Sequence, residues 1–122
     1  MAEPIRLVRG GVVVPTWGNG DRPDDEKITV HYRFLTFEEQ QQMLDPAELG
    51  KSFAYESKVL AAMIGKVENL EIEVDGEVTA ITDGAGVVGT AGLDELALEL
   101  WLTLKNRSAV DKKKSSSESG SG

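Results

Sequence analysis

The chain has 122 residues, 40% of them hydrophobic, and a formal net charge of −8 from 13 Lys and Arg against 21 Asp and Glu. That length fits one domain with polar ends, and that charge argues against a nucleic-acid binder, which needs a basic face to neutralise phosphates. The absence of cysteine removes disulfides, thiolate metal ligands and a thiol nucleophile from consideration.

A chain of this size buries roughly two-thirds of the surface its unfolded form exposes. It can fold alone with little stability to spare, so self-association or a partner would help. No stretch approaches the roughly 20 apolar residues of a membrane span. The apolar run Val12–Pro15 is too short for a signal-peptide core, and the lack of cysteine is compatible with cytoplasm.

Residues 1–26 read as an N-terminal strand and loop arm. Ile5, Leu7 and Val12–Val14 are strand formers interrupted by Gly10-Gly11, and Pro15 ends the run. The loop "TWGNGDRPDDE" follows and carries Trp17. Residues 27–35, "KITVHYRFL", alternate Ile28, Val30, Tyr32 and Phe34 with polar side chains, which predicts a half-buried strand that pairs with the first.

Thr36 and Glu39 have capping-box spacing, so a helix is expected over 37–44 with Phe37, Gln41 and Leu44 on one face. A second helix is expected over 51–65, its stripe made by Phe53, Val59, Leu60, Met63 and Ile64, with Gly65 as its end. Residues 69–82 read as a hairpin about Asp75-Gly76, with Leu70, Ile72, Val74 and Val78 sharing the apolar face. "DGAGVVGTAG", 83–92, reads as a mobile loop with a short helical turn at 85–89. A helix over 93–108 places Leu93, Leu96, Leu100 and Leu104 on one face, with Leu98 and Leu102 on a neighbouring one. The fold class is α+β: a small antiparallel sheet with about three helices packed on one face, a core domain over 27–108, and a disordered tail over 109–122.

The sequence assembles no recognisable chemical site. His31, the only histidine, lies on the polar face of a strand with no triad spacing around it. Acids cluster at Glu68, Glu71, Glu73, Asp75, Glu77 and Asp83, but Glu71, Glu73 and Glu77 fall at the polar, solvated positions of the hairpin and the cluster lacks calcium-loop spacing. "GAGVVG" has the glycine spacing of a dinucleotide loop, but an amphipathic hairpin precedes it where a buried parallel strand is required. No catalytic residue, cofactor or metal is therefore expected, and no small-molecule substrate. Interaction surface remains. Trp17, Val87, Val88, Leu98, Trp101 and Leu102 are the candidate partner-binding residues, with core packing as the rival role for Trp17 and Trp101.

The order and texture of "RFLTFEEQ" (33–40), "GKVENLEIEVDGEVTAITD" (65–83), "GLDELALELWLTL" (92–104) and "KNRS" (105–108) resemble phage tail assembly chaperones of the lambda type. The likeness spans roughly residues 27–108. It implies a non-enzymatic protein of the infected host's cytoplasm, absent from the virion, that coats the tape-measure protein and recruits tail-tube subunits. The segment "VRGGVVVPTWGNGDRPDDE" departs from that pattern and suits a specific partner contact or strand addition to a neighbour's sheet. The rival readings are a structural virion protein, such as a tail-completion or head–tail joining subunit, and a regulatory adaptor.

The end, "DKKKSSSESGSG", is a solvated low-complexity segment. A linker to a partner, or an expression scar for its last residues, would read the same. The resemblance adds that Lys112–Lys114 would be encoded by a run of codons able to form a frameshift site, as in chaperones that are made in a short and a long form.

Overall fold

A computed structural model describes residues 4–48, 54–107 and 109. The tail expected over 109–122 lies outside the described residues except for Ala109, and so do Lys51 and Phe53 of the second expected helix. The architecture is α+β, with a three-stranded and a two-stranded antiparallel sheet and four α-helices among the described residues.

The larger sheet has the order β1 (Gly10–Val13), β2 (Thr29–Arg33), β3 (Ile64–Glu68). Its register places Val13 beside Val30 and Val30 beside Val67. Alternation of side chains sends all three to one face, and all three are buried. His31 turns to the other face, where its Nε2 donates to Glu68 Oε2 at 2.6 Å. That hydrogen bond, with the Lys66 charge, holds the Glu68 carboxyl below its ordinary range.

β3 corrects the expected end of the second helix. α2 runs over Ala54–Met63, and the strand starts at the next residue, with Ile64 in β3 and not in the helix. The register between β2 and β3 shifts so that Tyr32 pairs with Ile64 while His31 pairs with Lys66, which leaves Gly65 as the extra residue of a bulge. Ile64 and Val67 are thereby both buried, although their spacing of three is a helical one.

α1 (Phe37–Gln42) begins at the expected capping box: Glu39 N donates to Thr36 Oγ1 at 3.0 Å and Thr36 N to Glu39 Oε1 at 2.9 Å. The helix ends at Gln42 and not at 44, and the face of Phe37, Gln41 and Leu44 lies outside the core. Phe37 is 77% exposed and no residue of α1 is buried. The cap and the Arg33–Glu39 ion pair hold this short helix in place of core contacts.

β4 (Glu71–Val74) and β5 (Glu77–Ala80) form the hairpin, turning through Asp75 and Gly76 at φ 53° and 84°, the two positive angles of a type I′ turn. A two-residue turn fixes the register, with Glu73 opposite Val78 and Val74 opposite Glu77. Val78 therefore lies on the face of Glu73, opposite to that of Ile72 and Val74, which corrects the expected single apolar face. The hairpin's base is in the core through Leu70 and Ile81, and Ile72 packs half-buried against it.

The glycine-rich stretch is α3 (Gly84–Gly89), capped by Asp83 Oδ1, which accepts from Gly86 N at 2.9 Å. Gly84 is the glycine of this stretch that α2 requires. A β-carbon there would lie 2.8 Å from the Ala61 Cα, so only glycine lets α3 sit against the α2 backbone. α4 (Asp94–Lys105) places Leu96, Leu100 and Leu104 against the sheet's valines in one core.

Candidate partner-binding groove

α2, α3 and α4 are mutually packed, and an open groove of about 410 Å³ runs between them. Its apolar lining comes from Leu60 on α2, Val87 and Val88 on α3, and Ala97, Leu98 and Trp101 on α4. Glu56 and Asp94 also border it. Four of the six residues singled out in the sequence are therefore brought together here.

Their exposures differ, because the helical period distributes them over different arcs. Val87 is 1% exposed and packs in the core, which corrects its placement on a free surface: it forms the groove floor. Val88 and Trp101 are half-buried against that core, each with part of its surface open. Leu98 is 51% exposed at the rim. Leu102 does not line the groove but lies one helical turn beyond Leu98 on the same exposed side, at 46%. Together they make a graded apolar surface, deep at Val87 and open at Leu98.

Trp17 lies elsewhere. It lines a separate cavity of about 640 Å³ with Ile28, Val67, Leu70 and Ile81, and packs half-buried on the core. Two polar anchors hold its loop. Glu99 on α4 accepts from Thr16 N at 2.6 Å, Thr16 Oγ1 at 2.9 Å and Trp17 N at 3.0 Å. Asn19 is buried, and its side chain donates to the Pro15 and Ile28 carbonyls and accepts from Ile28 N at 2.6 Å. Sequence reading missed both residues. Glu99 reads as an ordinary polar position of an amphipathic helix, and Asn19 as a turn former between two glycines.

Among the described residues, no group of three or more His, Asp and Glu side chains could hold a metal ion. No described helix is long and apolar enough to cross a membrane. Compared with known proteins, the chain matches no family model, no curated protein and no solved structure.

Proposed function

We propose that the protein is a non-enzymatic assembly chaperone of phage tails, acting in the cytoplasm of the infected host and absent from the finished virion. Its groove would hold apolar helical segments of the tape-measure protein, and tail-tube subunits would be recruited through other surfaces. The single observation that supports this is the open apolar groove made by Val87, Val88, Leu98 and Trp101 in a chain of net charge −8. A helix docks in such a groove by inserting residues spaced three and four apart, while the surrounding negative charge keeps the complex soluble. The groove has room for a few side chains and not for a whole helix, so the client would lie along the surface with its anchors inserted.

The test is co-expression with a tape-measure protein, whose gene this reading expects immediately downstream. The wild-type chain should keep that protein soluble and co-purify with it, and Leu98→Asp should lose both effects while its own thermal melt stays unchanged. Mass spectrometry of purified virions gives the opposing outcome: the chain present in structural amounts would make it a tail-completion or joining subunit and overturn the chaperone reading.

A further inference from the structure

Beyond its base the hairpin is mostly exposed. β4 and β5 pair only with each other among the described residues, and Val74 and Val78 are 59% and 58% exposed. Ile81 N donates to Leu70 O at 2.8 Å across the base of the hairpin. By the alternation of antiparallel bonding, the backbone groups of Glu71 and Glu73 then point away from β5. The outer edge of β4 is thus an open row of donors and acceptors, which attracts another strand. Its side chains alternate Ile72 and Val74 on one face with Glu71 and Glu73 on the other, and Asp75 and Glu77 follow. None of these acids is in an ion pair with a described residue. Two hairpins meeting edge to edge would repel, so an incoming strand must be basic.

The same chain carries such a strand. Preceding β1, Ile5 and Leu7 are exposed and alternate with Arg6 and Val8, and Arg9 follows. Val8 N donates to Ala109 O at 2.8 Å, so by the alternation of strand bonding the backbone groups of Ile5 and Leu7 point to the arm's other edge, the one a second copy would meet. Between Pro4 and Gly20 there is no acidic residue, and neither Arg6 nor Arg9 is ion-paired with a described residue. Laid along β4, the arm would set Ile5 and Leu7 beside Ile72 and Val74, and Arg6 beside Glu71 and Glu73. A chain cannot make this contact with itself. The arm leads into β1 at one edge of the larger sheet, and the hairpin follows β3 at the other.

We propose that copies of this chain associate head to tail, the arm around Ile5–Val8 of one copy adding as a strand to the open edge of β4 in the next. The two patches differ, so the contact is heterologous and builds rings or filaments in place of a two-fold dimer. It is independent of whatever the groove binds.

Sedimentation of the full chain over a range of concentrations tests this. Wild type should grow beyond a dimer as concentration rises and revert to monomer in about 1 M salt, where the screening length is about 3 Å. Arg6→Glu with Arg9→Glu, and separately Glu71→Lys with Glu73→Lys, should each weaken assembly about tenfold or more. In an equimolar mixture of the two charge-reversed variants the intact arm meets the intact edge and the reversed arm meets the reversed edge, so assembly beyond a dimer should return. These side chains are exposed, and circular dichroism checks that each variant is folded. Should a charge reversal disturb the fold, Glu71→Gln with Glu73→Gln serves in its place. A wild-type monomer at every concentration, or assembly that survives either pair of substitutions or high salt, overturns the proposal.

Discussion

Asn19 is 3% exposed and satisfies three backbone groups of the loop that carries Trp17. Asn19→Ala leaves those groups without their partner and should destabilise the fold by about 2–4 kcal/mol, measured by urea unfolding. Glu39 offers a second test with a defined sign. The hydrogen bond from the Arg33 guanidinium, with the Thr36 backbone N–H, lowers its carboxyl from the ordinary 4.5 to about 2. A lowered folded value means that the ionised form favours folding. That contribution is complete above about pH 4.5 and is lost as pH falls toward about 2. The carboxyl resonance of Glu39 should titrate near the lower value in wild type and return toward 4.5 in Arg33→Gln. A wild-type midpoint at the ordinary value would mean that the Arg33 clip does not form in solution. The capping box was legible because Thr36 and Glu39 are close in sequence; Asn19 was not, because its partners are set by how the loop closes on β2.

At the scale of elements, the boundaries were harder to read than the elements themselves. Leu60, Met63 and Ile64, Val67 and Leu70 recur at spacings of three and four, which mimics a helix continuing past its end. Only the bulge at Gly65 reconciles that spacing with a strand, and a bulge leaves no signature in hydropathy. α3 was hidden for a related reason: glycine disfavours helix in isolation, yet here it is required by the approach to Ala61. Gly84→Ala should therefore cost about 1–3 kcal/mol by forcing α3 off α2, although alanine is the better helix former. Gly89→Ala, with nothing near its added carbon, should be neutral or stabilising. Thermal melts of the two variants compare them directly. Glu99 couples two elements that sequence separation conceals. Glu99→Ala should free the Thr16–Trp17 loop and shift Trp17 fluorescence to the red, while α4 stays helical by circular dichroism.

For the whole molecule, the α+β class and the leucine face of α4 were readable from periodicity, because burial imposes it. The groove was not, since it exists only where three helices meet. Leu98, Leu100 and Leu102 share one helix and one residue type but differ in surroundings. Leu100 is fully buried, whereas Leu98 and Leu102 are about half exposed. Leu100→Ala should cost about 2–5 kcal/mol, while Leu102→Ala should stay within about 0.5 kcal/mol. Chemical unfolding distinguishes a core helix with a free side from one buried all round: equal losses at both positions would show that Leu102 is covered in solution.

The join between α2 and β3 has no loop: Met63 closes the helix and Ile64 opens the strand. Mechanically it is a crank without slack. If a client seats against Leu60 as proposed and turns α2, the bulge at Gly65 is where that rotation would meet the sheet. Amide exchange should report this as faster exchange at Lys66 and Val67 when the groove is filled, at residues the client never touches.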